Sequence, residues 1–217
     1  MKNIVLLGAT GSIGDSCLNV IRQNKKHFHL FGIGLGGNLD KAQQITKEFN
    51  PKHIFIAEPH IDKSHDLLHS YPNILSTEDE LQGLIQDPSV DIVISAISGF
   101  AGLKASFFAI DAGKTILIAN KESIVAAGDI LMPLAQAKKS EIIPVDSEHN
   151  AIHQCFPPHS DLKEISKIVI TASGGPFREK TFKELSEVTL QDALKHPTWN
   201  MGTKITIDSA TLVNKCL

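Results

Sequence analysis

The chain has 217 residues, of which 42% are hydrophobic and 21% are charged. This ordinary globular composition argues against disordered, collagen-like and disulfide-framework proteins. Lys and Arg total 21 against 24 for Asp and Glu, giving a formal net charge of -3. Without an excess of positive charge, the sequence argues against nucleic acid as a partner.

The cysteines and the hydrophobic runs bear on location. Cys17, Cys155 and Cys216 are odd in number, widely separated and outside any C-x-x-C arrangement. This usage is typical of a reducing compartment and predicts a cytoplasmic protein. The first residues lack the pattern of a signal peptide, and no run approaches the ~18 apolar residues of a membrane span. We therefore expect no association with membranes.

Short apolar segments alternate with amphipathic ones along the first two thirds of the chain. Segments rich in Ile and Val, apolar at successive positions, predict strands that are buried on both faces of a parallel sheet. In chain order they are residues 3–7, 29–35, 53–57, 91–97, 115–119 and 141–145. A helix is predicted at 39–49, where Leu39, Ala42, Ile45 and Phe49 share one face. The alternation predicts an α/β fold with a doubly wound parallel sheet.

The pattern changes near residues 145–150, which predicts a domain boundary. Beyond it we expect a smaller unit with a strand at residues 167–171 and a second apolar run at 205–207. A helix pattern starting at 208–211 reaches Leu217 without a residue that would end it. The sequence therefore predicts a fragment of a longer protein.

A glycine-rich loop follows the first predicted strand. Gly8, Gly11 and Gly14 have the spacing G-x-x-G-x-x-G and precede a predicted helix. Glycines in this position permit a tight turn, so that the free N–H groups of the helix can bind a pyrophosphate. The loop therefore predicts dinucleotide binding by a Rossmann-like domain.

The end of the second strand bears on which dinucleotide is bound. An acidic residue there would bond the ribose of NAD and repel the 2′-phosphate of NADP. This strand ends in Gly36, Gly37 and Asn38, with no acid before Asp40, which favours NADPH. The nearby cation is Lys41. Asn38 is either a cofactor contact or the cap of the next helix, or both.

Two carboxylates follow the sixth strand, where ligands of parallel sheets bind. If the chain stays extended through Ser147, Asp146 and Glu148 face the same side and can share Mg²⁺ or Mn²⁺. Equally, these residues can form a helix start with an acidic first turn.

Other polar residues suit a substrate with a phosphate group. Lys121, in the run Asn-Lys-Glu-Ser at 120–123, either bonds a substrate oxygen or belongs to a plain helix start. The loop at 173–175 and the residues Ser209, Asn214 and Lys215 offer the donors that a phosphate monoester needs. His196 and Trp199 either form a lid over the substrate or simply pack.

Several segments together resemble the 1-deoxy-D-xylulose 5-phosphate reductoisomerase family. They are the glycine loop at 8–14, Asn-Lys-Glu-Ser at 120–123, Val-Asp-Ser-Glu-His-Asn-Ala at 145–151, Ser-Gly-Gly-Pro-Phe at 173–177, His-Pro-x-Trp at 196–199 and Asp-Ser-Ala-Thr at 208–211 with Asn214-Lys215. The resemblance implies an NADPH- and divalent-metal-dependent enzyme that makes 2-C-methyl-D-erythritol 4-phosphate in the non-mevalonate isoprenoid pathway. It also implies a homodimer when the protein is full length.

The resemblance implies roles for individual residues. NADPH is expected to contact Thr10, Gly11, Ser12, Ile13, Gly36, Gly37, Asn38, Asn120, Glu122 and Gly202. The metal ligands are expected to be Asp146 and Glu148. The sugar phosphate is expected to contact Lys121, Ser147, Glu148, Ser173, His196, Ser209, Asn214 and Lys215. The catalytic candidates in this set are Lys121, Glu148 and His196.

The resemblance also implies a domain plan. Residues 1–147 form an NADPH-binding Rossmann-like domain, and 148–217 begin an α+β catalytic domain. The third acidic metal ligand lies beyond Leu217, and the C-terminal helical domain is absent, so we expect weak activity at best. Gly37 stands where relatives often have a basic residue, so the 2′-phosphate is held less firmly or by Lys41.

Two other functions remain open from the sequence. One is a semialdehyde or sugar dehydrogenase that uses the same glycine loop, with Cys155 as nucleophile. The other is an NADP-binding regulatory module without catalysis. Cys155 also fits a helix face in a core, where it would be inert.

Overall fold

A computed structural model of the chain describes residues 1–57, 71, 74–156, 162–172, 174–197 and 202–213. The chain divides into two compact units, Met1–Asp146 and Ser147–Leu217. Among the described helices, none is both long enough and apolar enough to cross a membrane.

Within its described residues, the first unit contains one parallel sheet of seven strands. The strands are β1 (Lys2–Leu7), β2 (Phe28–Leu35), β3 (His53–Ile56), β4 (Ile74–Leu75), β5 (Ile92–Ser95), β6 (Thr115–Ile118) and β7 (Ile142–Pro144). Six of these lie within or next to the six predicted segments. β4 was not predicted, because two residues are too short a run to show a pattern.

Five helices in the described part of the first unit alternate with these strands. They are α1 (Ser12–Gln23), α2 (Leu39–Phe49), α3 (Glu78–Gln86), α4 (Leu103–Asp111) and α5 (Lys121–Lys138). A 3₁₀ turn, Gly99–Gly102, leads directly into α4. The helix predicted at 39–49 is confirmed by α2, and the predicted doubly wound parallel sheet is confirmed as well.

The sheet is covered on both faces, because alternate side chains of each strand point to opposite sides. Val5 and Leu7 of β1 belong to a core that includes residues of α3, α4 and α5. Ile4 and Leu6 belong to a second core that includes residues of α1 and α2. All four β1 side chains are nearly or fully buried. The strands are therefore apolar at successive positions, as the sequence shows.

The strand order creates a switch point between two neighbouring strands. The order is β4-β3-β2-β1-β5-β6-β7, so the chain builds outward from β1 and then returns to its other side. Ligands of such sheets bind at the carboxyl ends of the strands beside this point. The loop that follows β1 is therefore in the expected position for a ligand.

The second unit contains four described helices and a 3₁₀ turn at Leu162–Glu164. The helices are α6 (Ser147–Cys155), α7 (Phe182–Leu185), α8 (Leu190–Ala193) and α9 (Thr203–Ala210).

Two expectations for this unit were wrong. Residues 167–171 form no strand, and Ile168, Val169 and Ile170 are exposed, since no described strand pairs with them. Residues 205–207 lie inside α9, whose buried positions Thr206, Ser209 and Ala210 have helical spacing. The second wrong expectation is the start of this helix, which begins at Thr203 rather than near residue 208.

Candidate functional site

The glycine loop forms a tight turn between β1 and α1. Gly8 has a φ of +83°, which an L side chain rarely adopts, and a Cβ there would lie 2.3 Å from the carbonyl oxygen of Ala96. The N–H groups of Gly8 and Ala9 both donate to the Gly34 carbonyl, at 2.8 and 3.0 Å. The turn is therefore held between β2 and the end of β5, beside the switch point.

Gly14 permits α1 to approach this turn closely. A Cβ on Gly14 would lie 2.3 Å from the Ala9 carbonyl oxygen and 2.7 Å from that of Gly8. This is the close helix–strand packing that the last glycine of a dinucleotide loop provides. The loop consequently has the geometry that the sequence predicts.

The first turns of the helices differ in how they are capped. Side chains cap α2, α3, α7 and α8. No side chain caps α1, α5 or α9, whose N-cap residues are Gly11, Asn120 and Gly202. α4 has no cap either, but it continues from the 3₁₀ turn. The helices α1, α5 and α9 continue from no other helix, and the N-cap residue of each is a predicted cofactor residue. Such a first turn can bind an anion.

Asn38 caps α2, as one of its two predicted roles requires. Its side-chain oxygen accepts a hydrogen bond from the backbone N–H of Lys41 at 3.2 Å. Gly36 and Gly37 form the bend between β2 and α2, and Gly37 and Asn38 are exposed. The cap is confirmed, while the contact of these three residues with a cofactor stays a prediction.

Lys41 contacts the glycine loop, a contact that the sequence does not reveal. Its Nζ donates to the Thr10 carbonyl at 3.0 Å and lies 2.6 Å from Oδ2 of Asp15. Asp15 lies in the first turn of α1. The ammonium group therefore joins α2 to the loop and to α1.

Asn120 is 4% exposed and lies two residues beyond the end of β6. Its Nδ2 donates to the Gly99 carbonyl at 2.6 Å. A Cβ on Gly102 would lie 2.4 Å from that nitrogen, so only glycine leaves room for the amide. Among the described residues, no group donates to the buried Oδ1 of Asn120. Because an unpaired buried acceptor is costly, a hydroxyl or amide donor of a bound cofactor fits this position.

Lys121 and Asp146, two predicted site residues, contact each other. Lys121 begins α5 and Asp146 follows β7, and their Nζ and Oδ2 atoms lie 2.8 Å apart. Their side chains are only 17% and 20% exposed. The pair places a cation and a carboxylate together at the carboxyl edge of the sheet, where oxygen-rich ligands and hard cations can be bound.

The second predicted carboxylate lies at a helix start. Ser147 is the first residue of α6 and Glu148 lies in its first turn, so the chain does not stay extended through Ser147, which is the condition under which Asp146 and Glu148 would face the same side. The alternative, a helix start with an acidic first turn, is confirmed. The Ser147 hydroxyl donates to Oε2 of Glu148 at 3.1 Å. The described residues contain no group of three His, Cys, Asp or Glu side chains that could hold a metal.

The structure brings together two parts of the predicted phosphate site within the second unit. Gly175 has a φ of +61°, and a Cβ on it would lie 2.8 Å from the carbonyl oxygen of Ser209. The loop at 174–175 therefore packs against α9, in which Ser209 is 6% exposed. Ser173, Trp199, Asn214 and Lys215 lie outside the described residues.

The other predicted residues are distributed over several elements. Thr10 and Ile13 are partly buried in the glycine loop and the start of α1, where Gly11 and Ser12 are exposed. Glu122 is partly buried in the first turn of α5, and His196 is partly buried in the segment that follows α8. Cys155 is exposed at the end of α6, a helix with no buried residue, so its placement in a core was wrong.

The fold and the site together define a Rossmann-like α/β protein with a second unit at its carboxyl end. The family model described as 1-deoxy-D-xylulose 5-phosphate reductoisomerase matches residues 4–128, and the model of the C-terminal domain of the same enzyme matches residues 142–217. The chain therefore belongs to the 1-deoxy-D-xylulose 5-phosphate reductoisomerase family.

Relatives and solved structures agree with this. The reductoisomerase of Francisella tularensis subsp. novicida is 48% identical over 99% of the chain, and that of Listeria welshimeri is 46% identical over 100%. A crystal structure titled DOX-P reductoisomerase in complex with NADPH, fosmidomycin and magnesium is 39% identical with a TM-score of 0.91, over 99% of this chain and 56% of that one. The Zymomonas mobilis enzyme in complex with NADPH is 38% identical with a TM-score of 0.85, over 99% and 55%. The chain spans 56% and 57% of the two relatives.

Proposed function

We propose that the chain supplies the cofactor site and the first part of the catalytic site of an enzyme that converts 1-deoxy-D-xylulose 5-phosphate to 2-C-methyl-D-erythritol 4-phosphate. The proposal rests on where the site residues lie within the first unit. The glycine loop follows β1, Asn120 and Lys121 follow β6, and Asp146 follows β7. All three strands are parallel, so these groups occupy one edge of the sheet. The domain plan, with residues 1–147 for NADPH and 148–217 for catalysis, is part of the proposal.

NADPH is the cofactor in this proposal, and it would supply a hydride. Thr10, Gly11, Ser12 and Ile13 would hold its pyrophosphate through the uncapped first turn of α1. Gly36, Gly37 and Asn38 would hold the adenosine ribose and its phosphate. Asn120, Glu122 and Gly202 would hold the rest, and the buried Oδ1 of Asn120, to which no described residue donates, supports this assignment. NADPH-bound structures of relatives support the choice of cofactor.

Asp146 and Glu148 would hold Mg²⁺ or Mn²⁺. Bound there, the metal would polarise the carbonyl and hydroxyl oxygens of the substrate. Lys121 keeps the Asp146 carboxylate in place through its ion pair and adds positive charge beside it. Two carboxylates leave room for oxygens of the substrate and for a further ligand. Magnesium is present in solved structures of relatives.

Protons must be moved during the carbon-skeleton rearrangement. Glu148 is one candidate base, and it accepts a hydrogen bond from Ser147, which orients one of its oxygens. His196 would contact the substrate. Ser209 and the loop at 174–175, together with Ser173, Asn214 and Lys215, would bind the phosphate group and fix the position of the sugar.

The proposal is tested by an assay of NADPH consumption with 1-deoxy-D-xylulose 5-phosphate and Mg²⁺. The assay compares the 217-residue chain with a version that continues beyond Leu217 as its relatives do. We expect weak or no turnover by the chain and full turnover by the longer version. Asp146→Asn and Lys121→Met should abolish turnover of the longer version while NADPH binding is retained. Turnover that survives both substitutions would contradict the proposal.

The same assay separates the rival functions. A dehydrogenase that uses the exposed Cys155 as nucleophile would lose activity in the Cys155→Ala variant, whereas the proposed enzyme keeps it. A regulatory module would bind NADPH without any effect of Mg²⁺ or sugar phosphate. We also infer a homodimeric, cytoplasmic full-length protein, which light scattering and cell fractionation would test.

A further inference from the structure

The first unit contains two ion pairs between α1 and α2, and they differ in what else they contact. Arg22 in the last turn of α1 pairs with Glu48 of α2, where Arg22 Nη2 lies 2.7 Å from Glu48 Oε2. Asp15 in the first turn of α1 pairs with Lys41 in the first turn of α2. Only the second pair also reaches the glycine loop, because Lys41 Nζ donates to the Thr10 carbonyl.

The position of Lys41 links two segments with different tasks. The loop after the first strand of a dinucleotide fold binds the pyrophosphate, and the end of the second strand faces the ribose that carries the 2′-phosphate. Lys41 follows the second of these segments by a single turn, and Asn38 caps that turn at the Lys41 N–H. The ammonium group of Lys41 contacts the glycine loop, which is the first of these segments. The Lys41 side chain is 27% exposed, so the ammonium is only partly withdrawn from solvent.

We propose that Asp15 and Lys41 determine the preference for NADPH over NADH. Lys41 provides the positive charge that favours the 2′-phosphate, and Asp15 holds that charge against the Thr10 carbonyl. Asp15 also limits the preference, because its carboxylate neutralises the ammonium and repels a phosphate brought near it. The inference rests on the proposed function, since it deepens the cofactor site described there.

The end of β2 itself supplies no positive charge that would favour NADPH over NADH. Gly36, Gly37 and Asn38 bring no charge to the end of β2, and Asp40 brings a negative one. Lys41 is therefore the basic residue of the first turn of α2. An ammonium group discriminates between a ribose hydroxyl and a phosphate, because only the phosphate carries a negative charge that attracts it.

The experiment measures the dissociation constants of NADPH and NADH for the 217-residue chain, from the change in nicotinamide fluorescence. For Lys41→Met we expect NADPH to bind about tenfold more weakly and NADH less than about twofold more weakly. For Asp15→Asn we expect NADPH to bind about threefold more tightly, with little change for NADH. Lys41→Arg should keep most of the preference, because it retains the charge.

The matched controls are Glu48→Gln and Arg22→Met. They remove the same charges from the other α1–α2 ion pair, and we expect them to leave the ratio of the two dissociation constants unchanged. An equal loss of NADPH and NADH binding in Lys41→Met would show that Lys41 only braces the loop and would overturn the inference. So would an unchanged ratio in Asp15→Asn. Binding of neither cofactor by the unaltered chain would overturn the proposed function and this inference together.

Discussion

Gly14 and Gly83 are both helical glycines, and their surroundings make opposite predictions. A Cβ on Gly14 would lie 2.3 Å from the Ala9 carbonyl oxygen, while a Cβ on Gly83 of α3 would meet nothing within 4 Å. We expect Gly14→Ala to lower the free energy of unfolding by about 1–3 kcal/mol, because the loop must shift. Gly83→Ala should raise it by up to about 1 kcal/mol, because alanine favours the helix.

Urea unfolding of the two alanine variants measures this difference. Since both substitutions add one methyl group to a helix, each serves as the control for the other. Equal effects would show that the close approach of α1 to the loop is not required.

His53 is expected to make stability depend on pH. Its Nδ1 is buried without a hydrogen-bond partner among the described residues, and its ring lies 5.4 Å from that of Phe31. Burial lowers the pKa of His53, Lys52 lowers it further, and Asp87 raises it. The unfolded chain, in which a histidine has a pKa of about 6.5, therefore takes up a proton at a higher pH than the folded one. The contribution of His53 to the free energy of unfolding is therefore fully present above the unfolded pKa of about 6.5. It is lost as the pH falls toward the lower pKa of the folded state.

The His53 prediction is checked by following the imidazole resonances by NMR in the folded chain and in urea. The folded titration should occur at lower pH. In the His53→Gln variant, the free energy of unfolding should fall less steeply below about pH 6.5. A folded pKa at or above the unfolded one would contradict the prediction.

At the residue scale, the sequence predicts residue types and leaves their partners undetermined. The glycine spacing and the cap at Asn38 depend on neighbours in the chain, so they can be predicted. Asp15 and Lys41 are 26 residues apart, and their contact depends on how α1 and α2 pack. The Lys121–Asp146 pair spans 25 residues in the same way. No local pattern contains such contacts.

At the scale of elements, α3 has a reciprocal cap that links it to the core. The Thr77 hydroxyl accepts from the Glu80 N–H at 3.3 Å, and Glu80 Oε2 accepts from the Thr77 N–H at 2.9 Å. Hydrogen bonds that the Ser76 N–H, the Thr77 N–H and the Thr77 hydroxyl donate to the Glu80 carboxylate lower its pKa. The helix buries Leu81, Leu84 and Ile85. A weakened cap should therefore weaken the core packing of the whole helix.

We expect Thr77→Ala to lower the free energy of unfolding by about 1 kcal/mol. Thr181→Ala is the matched control, because Thr181 and Glu184 form the same capping box on α7, a four-residue helix that buries no residue. The control should have little effect on global unfolding, as measured by circular dichroism in urea. If both variants lost the same stability, burial by the helix would not be what makes the cap matter.

Elements were predictable where local pattern and packing agree. β1, β2 and β5 are buried at successive positions, so their apolar runs indicate them directly. The segment at 167–171 has the same composition, but Val169 is 68% exposed and no described strand pairs with it. The apolar run at 205–207 is too short to distinguish a strand from a helix. Whether an apolar segment forms a strand depends on a partner strand elsewhere in the chain, so the sequence of the segment alone does not determine it.

For the whole molecule, the strand order explains why distant segments form one site. β1 lies between β2 and β5, so the glycine loop contacts the ends of both neighbours. The sequence predicts the doubly wound sheet from the alternation of elements, but the position of each strand follows from long-range packing. A ligand of the glycine loop should consequently stabilise the sheet as a unit.

Hydrogen exchange in the presence of NADPH tests that coupling. At a free NADPH concentration of about 100 times the dissociation constant, binding raises the free energy of unfolding by about 2.7 kcal/mol. Amides of β1 and β2 that exchange only when the sheet unfolds should therefore exchange about a hundredfold more slowly. Amides at helix ends far from the loop, which open locally, should change little. The control is Gly14→Ala, in which NADPH should slow exchange much less because the loop is displaced. Undiminished exchange of the β1 and β2 amides in the unaltered chain would show that NADPH does not bind this sheet.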